Sequence, residues 1–244
     1  MEPKPSSSSA KSFTAPIRIQ ENFLARAERA LLDRLCDLLP PAVLPDHLTA
    51  LGLFGAFLAL CGFCLSHFGA GWLFLASFGL VVNWFGDSLD GSLARRRRIE
   101  RPKYGYFLDH SVDAFGNFLL VAGLGATPYI DMRVALLALV GYLLLSIYAF
   151  LTNHVSGLLP LTFMRFGPTE MRVLLVLQNT LIFFLGPVEL ALWGHRVSLY
   201  TLVVGFFALN FFALFVISSL RMAIKLRGQA LAEEAARAPA PPSA

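Results

Sequence analysis

The sequence predicts an all-α integral membrane protein with six transmembrane helices, preceded by a cytoplasmic amphipathic helix at the membrane interface. The first observation is composition: 56% of the 244 residues are hydrophobic and only 15% are charged, whereas charged residues make up about 25% of an ordinary soluble domain. The second is the recurrence of apolar stretches of about 18 or more residues, long enough to cross a bilayer. The third is that Lys and Arg concentrate in alternate loops.

The first forty residues divide into two segments. Residues 1–20 are polar and rich in Pro and Ser, and we expect them to be disordered. Residues 21–39 carry apolar side chains at steps of three and four, with charged side chains between them, which predicts an amphipathic helix on the membrane surface. Pro40 and Pro41 end it.

Six spans follow within a domain that we assign to residues 40–225. The predicted spans are 47–67, 71–94, 105–127, 132–153, 169–190 and 197–221. The loops are short, so consecutive spans should pack as antiparallel neighbours. Residues 226–244, rich in Ala, Glu and Pro, are predicted to form a flexible C-terminal tail.

The basic residues orient the spans. Most basic residues precede the first span, lie between the second and third spans, flank the start of the fifth span or follow the sixth. They are Arg26, Arg29, Arg34, Arg95, Arg96, Arg97, Arg98, Arg101, Lys103, Arg165, Arg172, Arg221, Lys225 and Arg227. The loops on the opposite side carry only Arg133 and Arg196. Because positive charge favours the cytoplasmic side, both termini and the loop between the second and third spans should face the cytoplasm.

Four aspartates lie where the second and third spans should meet. Asp87 and Asp90 are three residues apart near the end of one span, and Asp109 and Asp113 are four apart near the start of the next. Each pair shares a helix face. Four close carboxylates cannot all stay ionised without counter-charges. We therefore predict a site for two divalent cations, Mg²⁺ or Mn²⁺, which prefer oxygen ligands.

Small and basic residues accompany the aspartates. Gly91 and Ala94 lie on the same face as Asp87 and Asp90 and leave room for a bulky ligand near the backbone. Arg95 could meet a phosphate. Because a pair of metal ions can clamp a phosphoryl group, these residues predict metal-dependent transfer of a phosphorus-containing group at the cytoplasmic surface.

The complete motif reads D-x2-D-G-x2-A-R-x9-G-x3-D-x3-D from Asp87 to Asp113, with Gly105 as its central glycine. It resembles the signature of the CDP-alcohol phosphotransferase (CDP-alcohol phosphatidyltransferase) family. The resemblance implies that Asp87, Asp90, Asp109 and Asp113 hold the metal pair. It also implies that Asp113 acts as the general base on the acceptor hydroxyl.

The resemblance further implies a pocket for the cytidine nucleotide. Its lining would include Asp87, Gly91, Ala94 and Arg95. The segment from Pro45 to Thr49 resembles the Pro-Asn-x-x-Thr segment of the family, which makes Thr49 another candidate for the nucleotide. Asp46 stands where the family usually has Asn.

Four residues are weaker candidates for binding the acceptor: His110, Arg165, Glu170 and Arg172. Each has a simpler interpretation. His110 could be a polar residue between two ligands, and Glu170 could cap a helix that begins near Pro168. Arg165 and Arg172 could merely follow the positive-inside rule.

The six spans resemble bacterial enzymes that use CDP-diacylglycerol, so the expected reaction transfers a phosphatidyl group to a small polar alcohol and releases CMP. The expected location is a bacterial inner membrane. One alternative is a choline or ethanolamine phosphotransferase acting on diacylglycerol, because the Asp109-His110 pair resembles that branch. A divalent-cation carrier or an inactive scaffold are alternatives of other classes.

The partners expected are the CDP-linked donor, an alcohol or lipid acceptor, and membrane lipids. The resemblance also implies a homodimer. Nucleic acid is not expected, because the run Arg95–Arg98 lies next to the membrane, where it would attract anionic lipid headgroups.

Overall fold

The computed structural model describes residues 17–19, 25–156, 158–160, 167–192 and 194–237, and these residues are mainly helical. The helices are α1 (Ala25–Leu38), α2 (Pro45–Leu65), α3 (Leu73–Arg97), α4 (Pro102–Gly125), α5 (Met132–Ser156), α6 (Pro168–Leu185) and α7 (Leu199–Arg237). Two short 3₁₀ turns, Ser66–Phe68 and Ala70–Trp72, join α2 to α3. The four strands are β1 (Ile17–Ile19), β2 (Leu158–Pro160), β3 (Glu189–Leu192) and β4 (His195–Ser198).

Several helices are suited to a membrane. Within the described ranges, four segments are long and apolar enough to span a bilayer: Pro45–Phe68, Ala70–Arg97, Met132–Ser156 and Leu199–Arg237. The helices α4 and α6 are not among them, because polar and charged side chains lower the mean hydropathy of each. The all-α membrane class is therefore supported, while six spans remain a prediction.

Glycines bring α2 and α3 into close contact. A Cβ atom added at Gly55 would lie 2.3 Å from the backbone nitrogen of Asn83 on α3. One added at Gly86 would lie 2.3 Å from the backbone nitrogen of Gly52 on α2. No side chain fits at such distances, so only glycine allows this approach, as is common between membrane helices. The contact fixes the end of α3 that carries Asp87 and Asp90.

The other helices pack around this pair. α4 packs against α2 and α5, α6 packs against α3, and α7 packs against α5. The expectation that consecutive spans are neighbours therefore does not hold for α5, α6 and α7. The linkers before and after α6, residues 157–167 and 186–198, are longer than a tight turn and allow the helix to pack elsewhere.

Helix α1 packs on α3. Cys36 is buried in a cluster with Leu89 and Leu93, and partly buried side chains of α1 surround it. Leu31 and Leu38 are exposed, on a face that remains free to contact lipid. Within the predicted segment 21–39 the structure has a helix at Ala25–Leu38, and one side of it is covered by protein. Its position on the membrane surface stays a prediction.

Arg97 fixes the linker between α1 and α2. Its guanidinium donates hydrogen bonds to the carbonyl oxygens of Leu39 at 3.0 Å, Pro40 at 2.9 Å, Pro41 at 3.3 Å and Val43 at 2.5 Å. These carbonyls follow the end of α1 and have no helical partner. One arginine therefore holds the end of α1 and the start of α2 against α3.

The termini differ in part from their predictions. Residues 17–19, predicted to be disordered, form β1, which pairs in parallel with β2. The rest of the segment 1–20 lies outside the described residues. Helix α7 continues to Arg237 through much of the predicted tail, because residues 226–237 are rich in the helix formers Ala, Glu, Leu and Arg.

Candidate active site

Three of the four motif aspartates converge directly. Carboxylate oxygens of Asp87, Asp109 and Asp113 lie within 4.8 Å of one another. Helix α3 runs towards this point and α4 runs away from it, so the end of one helix meets the start of the next. The spacing of three and four residues along each helix directs both members of each pair to the same side.

Asp90 lies beside the other three and is held by hydrogen bonds. Thr49 Oγ1 donates to Asp90 Oδ2 at 2.6 Å, across the interface of α2 and α3. The backbone N–H of Gly91 donates to Asp90 Oδ1. Asp90 is 8% exposed. The structure therefore connects two predicted nucleotide-binding residues, Thr49 and Gly91, to one predicted metal ligand.

All four aspartates line one small pocket. Its volume is about 10 Å³, roughly the space that a single water molecule or ion occupies. Its polar lining is completed by Thr49, Asn83, Asn117 and Arg172. The convergent acidic ligands are carboxylate oxygens, the type that Mg²⁺ and Mn²⁺ prefer, so the donor set fits a hard divalent cation.

Arg172 reaches the same cluster from α6. Its guanidinium donates to Asp87 Oδ2 at 2.6 Å and to Asn83 Oδ1 at 2.8 Å. Asn83 is itself buried and donates to the carbonyl oxygen of Gly52 at 2.9 Å. Arg172, predicted as an acceptor-binding residue, thus contacts the carboxylates directly and supplies positive charge next to them.

A cavity of about 290 Å³ opens on one side of the aspartates. It is lined by the predicted nucleotide residues Thr49, Gly91, Ala94 and Arg95, together with Asp90 and Asp109. A Cβ atom added at Gly91 would meet only the Arg95 side chain, at 3.2 Å. Helix packing therefore does not require glycine at position 91. Instead, Gly91 leaves space in the cavity for a ligand.

A larger cavity of about 770 Å³ lies on the other side. Asp87, Asp113 and Arg172 line this cavity and are absent from the lining of the smaller one. Four residues of α1 contribute to its wall: Glu28, Arg29, Leu32 and Asp33. The aspartates therefore lie between two adjoining cavities, which share Asp90 and Asp109 in their lining and are each large enough for part of a substrate.

The remaining predicted acceptor residues differ in position. His110 lines the larger cavity, and its Nδ1–H donates to the carbonyl oxygen of Tyr106 at 2.8 Å. Glu170 is buried and accepts a hydrogen bond from the backbone N–H of Gly167 at 2.9 Å, as expected for a helix cap. Arg165 lies outside the described residues.

Sequence reasoning missed several polar residues near the site, among them Asn83, Asn117 and Glu28. Asn83 lies one helical turn before Asp87, and a lone amide within an apolar span is a detectable signal. Glu28 gives no such signal, because it is one of several charged residues on an amphipathic helix. Asp46, which stands where the related segment has Asn, forms an ion pair with Arg101.

Comparison with known proteins agrees with this arrangement. The family model of CDP-alcohol phosphatidyltransferases matches residues 42–209, which is most of the chain. The protein is a CDP-alcohol phosphatidyltransferase family member. The resemblance seen in the motif is thereby confirmed, and with the long apolar helices the family membership indicates a multi-pass membrane transferase of phospholipid synthesis.

Two characterised members of the family are similar to this chain. A phosphatidylinositol phosphate synthase of Cutibacterium acnes is 36% identical over 86 residues, which are 35% of this chain and 39% of that protein. An archaetidylinositol phosphate synthase of Methanothermobacter thermautotrophicus is 30% identical over 118 residues, which are 48% of this chain and 56% of that protein. In both cases the match spans less than two thirds of the relative.

Proposed function

We propose that this family member transfers a phosphatidyl group from CDP-diacylglycerol to a small polar alcohol and releases CMP. The observation that carries the proposal is the position of the motif aspartates between two cavities. The smaller cavity is lined by four of the five residues assigned to the nucleotide, Thr49, Gly91, Ala94 and Arg95, while the fifth, Asp87, lines the larger cavity. The larger cavity adjoins Asp113, the proposed base, and would hold the acceptor.

The name of one relative contains the phosphatidyl group of the proposed donor, and the names of both relatives point to an acceptor of the same kind. One relative is named for a phosphatidylinositol phosphate and the other for an archaetidylinositol phosphate. Besides its carboxylates, the larger cavity carries the basic side chains of Arg29, Arg96 and Arg172, and basic side chains suit an anionic acceptor. A phosphorylated polyol such as inositol phosphate is therefore the first acceptor to test.

The aspartates are proposed to bind two divalent cations, Mg²⁺ or Mn²⁺. Asp87, Asp109 and Asp113 form the compact group, and Asp90 lines the same small pocket. When bound, such ions would neutralise the pyrophosphate and stabilise negative charge on the leaving group. Arg172 already offsets part of the carboxylate charge through its ion pair with Asp87.

The proposed reaction is a direct displacement. The acceptor hydroxyl oxygen bonds to the phosphorus that carries the diacylglycerol, and the bond from that phosphorus to the CMP oxygen breaks. Asp113 accepts the hydroxyl proton, which requires hydrogen-bond reach of the acceptor oxygen. Thr49 and Arg95 would hold the nucleotide, while Gly91 and Ala94 leave room for it.

The cellular setting is part of the proposal. A site at the cytoplasmic ends of α3 and α4 would receive the nucleotide from the cytosol and the lipid from the bilayer. The basic residues at the end of α3 and in the C-terminal part of α7 support this orientation. A bacterial inner membrane and a homodimer are likewise proposed.

The test is a product screen with purified protein in mixed micelles. CDP-diacylglycerol would be offered with inositol phosphate, glycerol phosphate, inositol or serine, and CDP-choline would be offered with diacylglycerol. Release of CMP and formation of a phosphatidyl product that depend on Mg²⁺ or Mn²⁺ are expected. Turnover only with CDP-choline would support the aminoalcohol alternative, and divalent-cation flux in liposomes without CMP release would support a carrier.

A further inference from the structure

Helix α1 and the start of α6 meet at the larger cavity. On α1 the cavity is lined by Glu28, Arg29, Leu32 and Asp33, and on α6 by Pro168, Thr169 and Arg172. The family model begins at residue 42, after α1. One wall of the larger cavity is therefore built by a helix outside the part of the chain that the family model matches.

A single carboxylate oxygen joins α1 to two other helices. Glu28 Oε1 accepts hydrogen bonds from Trp84 Nε1 at 2.8 Å and from Ser88 Oγ at 3.3 Å, both on α3. It also accepts a hydrogen bond from Thr169 Oγ1 on α6 at 2.7 Å. All four residues are partly buried, so these bonds are shielded from competing water.

The contacts of Glu28 lead directly to the aspartate cluster. Ser88 follows Asp87 in the chain, and Thr169 lies three residues before Arg172 on α6. Arg172 in turn contacts Asp87. Glu28 thus holds the end of α3 next to the start of α6. Asp87 on α3 and Arg172 on α6 each line both the small pocket and the larger cavity.

The other end of α1 is held separately. Asp37 accepts two hydrogen bonds from Arg96, both at 2.7 Å, and Arg97 binds the following linker. The side chains of Asp37 and Arg96 are exposed, although Arg96 also lines the larger cavity. Glu28 is the partly buried contact that holds α1 next to this cavity, about two and a half helical turns before Asp37.

We infer that α1 forms one wall of the acceptor site and that Glu28 is the positioning residue that holds this wall against α3 and α6. The inference rests on the proposed function, because it takes the larger cavity as the acceptor site. Glu28 does not line the smaller cavity. Its loss should therefore weaken acceptor binding and leave donor binding nearly unchanged.

The experiment compares the KM values of the two substrates, with the acceptor that the product screen identifies. Glu28→Ala is expected to raise the KM of the acceptor roughly tenfold, the effect of losing about one hydrogen bond to a charged group. The KM of CDP-diacylglycerol should change less than about twofold. Glu28→Gln keeps an acceptor oxygen at this position and should restore most of the wild-type KM.

Two further variants separate positioning from general stability. Trp84→Phe removes one donor and keeps an aromatic ring, and it should move the acceptor KM in the same direction as Glu28→Ala. Arg34→Ala replaces an exposed side chain of α1 that lines neither cavity and should leave both KM values unchanged. The thermal unfolding midpoint of each purified variant shows whether it is folded.

The outcomes distinguish the inference from the proposed function. If wild-type protein turns over CDP-diacylglycerol but Glu28→Ala and Trp84→Phe leave the acceptor KM unchanged, the inference is wrong and the function stands. An equal rise in both KM values would also overturn the inference, because it would indicate a general loss of structure. Absence of wild-type turnover with every acceptor would instead contradict the proposed function.

Discussion

Asp113 lies beside Asp87 and Asp109 and lines the larger cavity, while Asp90 and Asp109 also line the smaller one. This position suits a residue that acts on the acceptor and not on the nucleotide. The replacement Asp113→Asn removes the basic oxygen and keeps the shape of the side chain. We therefore expect turnover to fall by about 100-fold or more, the usual contribution of a general base.

Binding of CDP should be largely retained in Asp113→Asn, as measured by thermal stabilisation of the purified protein with CDP and Mg²⁺. Glu233→Gln, on the exposed end of α7, is the matched control for loss of one carboxylate and should behave as wild type. Near-normal turnover of Asp113→Asn would show that another group accepts the proton.

Gly91 gives a second prediction about a single residue. It lines both cavities, and a Cβ atom there would meet only the flexible Arg95 side chain. Gly91→Leu should therefore fold normally and block the nucleotide by occupying its space. We expect CDP affinity, measured by calorimetry, to fall at least about tenfold, equivalent to about 1.4 kcal/mol.

Gly228→Leu on the exposed end of α7 is the control for Gly91→Leu, since it makes the same replacement at a glycine with nothing within 4 Å of the added Cβ atom. It should bind CDP nearly as wild type does. Undiminished CDP affinity in Gly91→Leu would mean that the nucleotide lies elsewhere.

Among the helices, the contact between α2 and α3 is the most sensitive to substitution. A Cβ atom at Gly55 would lie 2.3 Å from the backbone nitrogen of Asn83. Gly55→Leu would force the two backbones apart, at a cost of about 1–3 kcal/mol or more. We expect a lower thermal unfolding midpoint in detergent and lower activity, because α3 carries two motif aspartates.

Gly228→Ala on α7 is the matched control, because nothing lies within 4 Å of the added Cβ atom. It should leave stability unchanged or raise it slightly, since Ala favours a helix over Gly by roughly 1 kcal/mol. An unfolding midpoint for Gly55→Leu equal to that of Gly228→Ala would contradict the close approach of α2 and α3.

The sequence was sufficient to predict the helices and the meeting of α3 with α4, because periodicity and a short linker encode both. It also contained the seven-residue spacing of Gly55 with Gly62 and of Gly79 with Gly86, a signal of close helix packing that was not used. The contact of Arg172 with Asp87 could not be predicted, because it depends on α6 packing against α3. The same holds for Glu28, whose donors belong to two other helices.

At the scale of the whole molecule, the distribution of basic residues predicts the orientation in the membrane. In a background without the three cysteines, Gly71→Cys should react with a membrane-impermeant maleimide in intact cells, because it lies in the turn between α2 and α3. Gly228→Cys on α7 should react only after the cells are opened. Both positions have open space around the glycine.

The opposite labelling pattern would reverse the orientation and move the aspartates to the outer face, where a cytosolic nucleotide could not reach them. Equal labelling of both positions in intact cells would indicate mixed orientation. Either result would contradict the cytoplasmic site independently of any activity measurement.

The length of α7 has a practical consequence. Its 39 residues extend about 58 Å at about 1.5 Å per residue, whereas the hydrocarbon core of a bilayer is about 30 Å thick. The part from Ala223 to Arg237 is exposed throughout and carries Lys225 and Arg227. A purification tag or fluorescent protein fused after α7 would lie outside a detergent micelle. A rigid fusion at the same position could serve as a fiducial for cryo-electron microscopy, which a chain of only 26.8 kDa needs for particle alignment.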